Sequence, residues 1–283
     1  MRTIMMRYPG GKGKAVTFSY DDGVPQDKRL AEIFDRYGMK GTFNLNCEKM
    51  RGQNFTKEEI QEIFLSKGHE IAVHGAFHRP NGHLRPIEGI RDVLDCRVEL
   101  EEKCDMIIRG MAYPDTGIGI FGNFGDYSSV KQYLTELDIA YARTLGGDNN
   151  TFLLPSDFHA WMPTAHHNNS KLSEYIEEFL QIDLSPKMYH AKRMPRLLYI
   201  WGHSYEFDRD NNWKLIEEIC GKLTNNNEIW YATNIEIYDY VQAYQSLRYS
   251  ADGHMVCNPT LFTIWLDVDG KLYSIKSGDT IRI

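Results

Sequence analysis

The sequence predicts an α/β protein, a distorted (β/α)7 TIM-like barrel carrying a small C-terminal β appendage. Apolar, β-branched runs of strand length alternate seven times with amphipathic helical stretches, which calls for a parallel sheet covered by helices. Several of those runs end in carboxylates or imidazoles, as expected where parallel strands deliver side chains to one mouth. Beyond residue 249 the alternation stops and short strand patterns joined by Asp-Gly and Ser-Gly pairs take over.

Taken in order, residues 15–23 (AVTFSYDDG) read as a buried strand that ends in two carboxylates and a turning glycine. Helical spacing over 27–37 closes on Gly38, a C-cap residue, and 41–46 is the second strand. Thr56 and Glu59 form a capping-box pair opening a helix to about residue 67. The third strand is 70–73. Pro86 starts a long charged helix to about 104, followed by a fourth strand over 106–112. A helix capped by Ser128 or Ser129 leads to the fifth strand, 139–143. Residues 146–170 form a polar loop too long for a plain connection. Helix 171–184, the very apolar sixth strand 196–202, helix 213–223, the seventh strand 229–232 and helix 235–247 complete a barrel domain over 1–249. Strands at 261–268, 271–275 and 280–283 make the appendage, 250–283, too small to fold alone and expected to pack on the barrel.

Composition narrows the function classes. At 283 residues with 42% hydrophobic and 25% charged residues, the chain can bury a full core. A net charge of −7 without a basic stripe excludes a polyanionic partner such as nucleic acid. The five cysteines are odd in number and widely spaced, which reads as reduced core thiols. No stretch approaches a membrane span, and the first residues lack an apolar signal core. A cytoplasmic location is therefore expected as the sequence stands, and an extracytoplasmic one if a signal has been removed.

The polar residues past the strands are Asp21 and Asp22 after the first, His74 and His78 after the third, Tyr113 to Gly117 after the fourth and His203 after the sixth. Three residues separate the two histidines, a spacing that brings imidazoles together on one side of a helical turn. One carboxylate and two imidazoles leave an open position on a zinc-like ion, the arrangement of catalytic sites. Such a cation lowers the pKa of water to about 7 and polarises a carbonyl. The second carboxylate can then take a proton, and His203 can return one to a leaving group. Phe121, Phe124, Tyr127, Trp161 and Tyr205 are candidates for an aromatic rim, and His166 and His167 lie in the long loop.

These motifs resemble the polysaccharide deacetylases of the NodB-like carbohydrate esterase family. The family's T-F-D-D-G resembles Ser19-Tyr20-Asp21-Asp22-Gly23, its H-S/T-x-x-H resembles His74-Gly75-Ala76-Phe77-His78, and its late L-x-H is similar in position to 199–203 (YIWGH). The resemblance implies Asp21 as general base, His203 as general acid, and Asp22, His74 and His78 as ligands of a divalent metal: Zn²⁺, with Co²⁺ or Ni²⁺ as alternatives. It also implies an acetylated carbohydrate as substrate, handled by Tyr113, Pro114, Asp115, Trp161 and Tyr205. Two departures stand out. Where the family has R-x-P-Y, residues 112–115 read AYPD, and Arg143 is the expected replacement for the missing arginine. The family's tryptophan-bearing motif has its nearest counterpart in 157–161. Those departures leave room for a small or cyclic non-sugar amide as substrate on the same fold, or for a glycan-binding module with a vestigial site.

Overall fold

The computed structural model describes residues 2–47 and 55–283. After β1 (Ile4–Arg7), the central strand is β2 (Lys14–Asp21), followed by α1 (Gln26–Tyr37), β3 (Gly41–Leu45) and β4 (Glu70–Val73). Then come α2 (Pro86–Cys104), β5 (Gly110–Ala112), α3 (Tyr127–Glu136), β6 (Tyr141–Arg143), β7 (Ala165–His166) and α4 (Leu172–Gln181). The remainder comprises β8 (Arg196–Gly202), α5 (Tyr205–Arg209), α6 (Trp213–Leu223), β9 (Ile229–Tyr231), α7 (Asn234–Gln245) and the short strands β10 (Arg248–Tyr249), β11 (Met255–Cys257), β12 (Ile264–Val268), β13 (Lys271–Ile275) and β14 (Thr280–Arg282).

The main sheet is parallel, in the order β6-β5-β4-β3-β2-β8-β7, curled and alternating with helices as the sequence predicts. One edge of β2 pairs with β8 from Lys14 to Tyr20; the other is shared, Lys14 to Val16 pairing with β9 and Phe18 to Asp21 with β3. The seventh place around the barrel therefore does not belong to 229–231. It is taken by the stretch 161–167. Trp161 N–H donates to Ala142 O at 3.0 Å on the β6 side, while Thr164 N–H donates to Tyr199 O and His167 N–H to Trp201 O, both at 2.8 Å, on the β8 side. Too few apolar residues alternate in that stretch for a strand to be legible, and the sequence assigns it to a loop.

Alternation along the strands sorts the interior from the helix-covered face. Val16, Phe18 and Tyr20 join Leu30, Ile33, Phe34, Phe43, Ile71, Leu198 and Ile200 in one apolar layer with the helices. Thr17, Ser19, Asp21, Thr42, Asn44, Glu70 and Tyr199, of opposite parity, are buried inside and bonded to one another: Thr17 to Asn234, Asn44 to Ser19, and Thr42 and Tyr141 to Glu70. Buried polar groups survive only when paired in this way. Burial pushes the Glu70 carboxyl up to about 7, with its donors pulling against that.

Helix ends follow the sequence signals. Gly38 closes α1 at φ 68°, Pro86 opens α2, and Thr233 with Glu236 boxes α7. Asp126, not a serine, caps α3. The Thr56–Glu59 box forms, but the helix it opens continues as a wide π turn over Ile60–Phe64 and a tight 3-10 turn over Leu65–Lys67. Past the barrel strands, β12 lies between β1 and β13, and β11 between β10 and β14, all antiparallel. Buried Asp267 of β12 accepts Arg7 of β1 at 2.6 Å and also Arg193.

Trp161 is 1% exposed and lies edge-on to Tyr141, Phe158 and Tyr199 at the closing seam. Trp161→Ala should cost about 3 to 5 kcal/mol in urea unfolding, the range for truncating a buried aromatic. A loss below about 1 kcal/mol would show that the seam does not hold the barrel.

Candidate active site

Strand parity explains why the reactive residues meet. Asp21 continues the inward series of Ala15, Thr17 and Ser19; His74 continues Glu70 and Ala72; Arg143 continues Tyr141; His203 continues Tyr199 and Trp201. Each follows or ends its strand at the C-terminal side, so all converge on one mouth.

Asp21 is buried and pairs through Oδ2 with the guanidinium of Arg143, itself wholly buried, while Oδ1 accepts Asn44 Nδ2 at 2.8 Å. Arg143 also lies 4.4 Å over the Trp201 ring. Burial alone pushes the Asp21 carboxyl up; Arg143, His74 and His203 outweigh it and hold the group below the usual carboxylate range.

Asp22 turns the other way because its backbone enters the left-handed region at φ 87°. Its Oδ1 lies 3.7 Å from His74 Nε2 and 3.4 Å from His78 Nε2. His74 Nδ1 is 2.9 Å from Ala112 O, so the ring proton sits there and Nε2 faces Asp22 with a free lone pair. Burial drives the His74 pKa down to about 4, which keeps the imidazole neutral. The three ligand atoms lie within 4.8 Å of one another. Two imidazole nitrogens and one carboxylate suit a zinc-like cation, whose tetrahedral ligands about 2.0–2.2 Å from the ion sit about 3.3–3.6 Å apart, close to the separations of Asp22 from the two rings.

The histidine pair does not share a helical turn. Residues 74–78 form a loop in which Gly75 takes φ 80° and His78 φ 51°. A Cβ at Gly75 would come within 2.4 Å of Asp92 Oδ2, so only glycine fits there. Asp92 Oδ1 accepts Phe77 N–H at 2.8 Å, and Asn46 Nδ2 donates to His74 O at 2.6 Å, pinning the loop from both sides.

His203 follows β8 and senses the charges of both Asp21 and Asp22. Its Nδ1 lies 3.7 Å from Glu206 Oε2. Burial lowers its pKa, but Glu206 and the two aspartates more than compensate, so the imidazole titrates above its ordinary value. Glu206 gathers two more rings, His166 Nε2 at 3.0 Å and His167 Nε2 at 3.2 Å. In this second His/Glu cluster the ring of His166 turns a proton, not a lone pair, toward the carboxylate. Asn168 N–H donates to His166 Nδ1 at 3.1 Å, which places that ring's proton on Nε2, facing Glu206. The cluster holds Glu206 ionised far below its usual range against the opposing effect of burial.

The other expected residues fall in varied places. Tyr113 is buried with its hydroxyl donating to His159 O at 2.8 Å, and Trp161 belongs to the seam, so neither ring offers a face to a ligand. Pro114 is buried beside Gly75, Asp115 is exposed at φ 49°, and Tyr205 is half-exposed 5.3 Å from His203. Phe121 and Phe124 are exposed. Asp157, in the stretch expected to replace the tryptophan motif, is taken up by Tyr127 and Lys131, each at 2.7 Å. Asn44, Asn46, Asp92 and Glu206 escape the sequence reading. Parity could have found Asn44, and the i,i+3 spacing from His203 could have found Glu206.

The polysaccharide deacetylase family model matches residues 8–119, the stretch holding both the Asp-Asp and His-x-x-x-His motifs. A search of curated proteins returned no match. Among solved structures, a protein assigned as a polysaccharide deacetylase from Mycobacterium smegmatis superposes with TM-score 0.60 at 17% identity, over 85% of this chain and 94% of that one. A family 4 acetyl xylan esterase from Clostridium thermocellum, with a cobalt ion, gives TM-score 0.50 at 14% identity over 80% and 90%. Puue allantoinase gives 0.55 at 12% over 82% and 91%. At these identities the likeness concerns the fold.

The set Asp22, His74 and His78 carries its own test. Titrating Zn²⁺ into full-length protein by calorimetry should give one tight site per chain, and His74→Ala or Asp22→Asn should abolish it. Unchanged affinity in both variants would remove these residues as ligands.

Proposed function

We propose that this chain, which belongs to the NodB-like polysaccharide deacetylase family, is a divalent-metal-dependent hydrolase of the C–N bond in acetylated amino sugars. One observation carries this reading: a carboxylate paired with a buried arginine, a two-histidine, one-aspartate cluster and a histidine paired with a carboxylate meet at one barrel mouth.

Asp22, His74 and His78 would hold the cation, Zn²⁺ on the chemistry of this donor set. When bound, it supplies Lewis acidity toward a carbonyl and toward water. Asp21 stays ionised across the neutral range because of Arg143 and accepts a proton from the attacking water. His203, with its pKa raised, is the group that delivers a proton to the departing amine. Glu206 lies beside the imidazole as a counter-charge, 3.7 Å from Nδ1. Exposed Phe77, Phe121 and Phe124 and half-exposed Tyr205 offer aromatic surface to a sugar ring. Acetate release from N-acetylated oligosaccharides by zinc-loaded protein tests the reading; no release from these, with turnover of a small cyclic amide, would move the substrate to that class.

The pH profile follows from the two shifts. A carboxylate with depressed pKa works as base until pH falls through that low value, so the acidic limb should lie below the ordinary carboxylate range. Arg143→Ala should move the limb to higher pH, since losing the cation eases protonation. An acidic limb that stays put would detach Arg143 from the base.

His203→Ala should lower kcat on an amide by about 10²-fold to 10⁴-fold, the usual contribution of a positioned acid, and much less on an activated ester whose leaving group needs no proton. Equal losses on both substrates would falsify the acid role.

A further inference from the structure

We propose that Asp27 is a positioning residue that fixes the His203 loop against the Asp21–Asp22 strand end through one buried carboxyl shared between the two loops. This rests on the reading of His203 as the proton donor. Asp27 lies in the first turn of α1 and is wholly buried. On one side its backbone N–H donates to Val24 O at 2.9 Å and its Oδ2 accepts Val24 N–H at 3.1 Å. That double closure ties the carboxyl to the turn leaving Asp22. On the other side Oδ1 lies 2.6 Å from Oγ of Ser204, also wholly buried and next in the chain to His203. Gln26 Nε2, donating to Asp208 Oδ2 at 2.9 Å, adds an exposed link between the same two helices.

The contacts of His203 with Glu206, the second residue of α5, are local and tie nothing to β2. The β2–β8 ladder brings Gly202 beside Tyr20 and ends there. Asp27 adds the tie past the ladder's end, holding Ser204, and so the chain just after His203, to the turn that leaves Asp22. A buried acid is an expensive way to pack two helices unless its bonds do something packing cannot. Burial, with the charges of Asp22 and Asp21 adding, pushes the Asp27 carboxyl up to about 8. The bridge is therefore neutral at pH 7, one proton lying between Asp27 and Ser204, and asparagine can mimic it.

The test compares wild type, Asp27→Ala, Asp27→Asn and Ser204→Ala as full-length protein. Imidazole ¹H–¹⁵N signals of His203 read the position of the ring without turnover. Zinc-loaded kcat on an amide and on an activated ester reads its consequence. Asp27→Ala should shift the His203 signals, lower amide kcat by about 10-fold to 10²-fold, as small misplacements do, and leave the ester within about threefold. Zinc content should stay at the wild-type value, and Asp27→Asn should match wild type in every measure. Unmoved His203 signals in Asp27→Ala, or an Asn variant as damaged as the Ala one, overturns the proposal. Should Asp27→Ala fail to fold, Ser204→Ala must reproduce the same pattern, and wild-type behaviour there overturns it equally. If wild type cleaves neither substrate, the functional reading fails alone, because the His203 signals still decide the role of Asp27.

Discussion

The ion pair between Arg143 and Asp21 is the constraint the mouth is built around. Both groups are buried, and a guanidinium or carboxylate stranded without its partner in such a place costs several kcal/mol. The pair must therefore form, and forming it fixes the end of β6 relative to the end of β2 across the barrel. The rest of the mouth follows. Trp201 covers the guanidinium face, Asn44 takes the second carboxylate oxygen, and Asp22 is left to turn toward the histidines. Charge pairing here sets geometry more than it adds stability, since a well-packed apolar pair would serve stability as well.

Much of this was legible from periodicity. The strands 70–73 and 196–202, the helices 86–104 and 213–223, and the hairpin strand 271–275 are read from sequence with the bounds the structure has, because apolar spacing and cap residues agree at each. The site residues Asp21, His74, Arg143 and His203 meet for the same reason: a period-2 strand ending in a reactive residue dictates where it points, whereas Asp22 and His78 join them through positive-φ turns. What was not legible depends on non-local bonds. The 161–167 seam carries no strand pattern of its own and is extended only because β6 and β8 leave a gap between them. β1 is short and pairs with β12, about 260 residues away, so nothing local announces it. Trp161 illustrates the general difficulty with aromatics, since composition cannot say whether a ring faces a ligand or a core.

The ligand loops show where the fold stores strain. Asp22, Gly75 and His78 all have positive φ, a region that costs a non-glycine residue about 1 kcal/mol or more. Such conformations persist only when their surroundings over-determine them. Here Asp92 and Asn46 hold the 74–78 loop through its backbone, and the N–H of Asp22 is kept in the ladder by Asn44 O at 3.0 Å. Those two asparagines and Asp92 act on the backbone of Asp22 and of the 74–78 loop, and so bring the three side-chain atoms to one point.

On the proposed reading, the chemistry needs a base that is ionised and an acid that is protonated at the same pH, a few ångströms apart. Unperturbed groups meet that demand only in a narrow window, as carboxylates titrate near 4 and imidazoles near 6.5. The fold widens the window from both sides by giving each group a counter-ion of opposite sign: Arg143 for Asp21 and Glu206 for His203. The two counter-ions must not neutralise each other. Arg143 is kept to its side by Trp201 and the end of β6, while Glu206 is engaged by His166 and His167 on α5's side of β8. The His166–His167 pair thus acquires a function without touching substrate. The hydrogen bond from His166, with His167 beside it, keeps that carboxylate ionised next to His203, and a neutral Glu206 would let the imidazole fall back toward the low pKa that burial alone imposes.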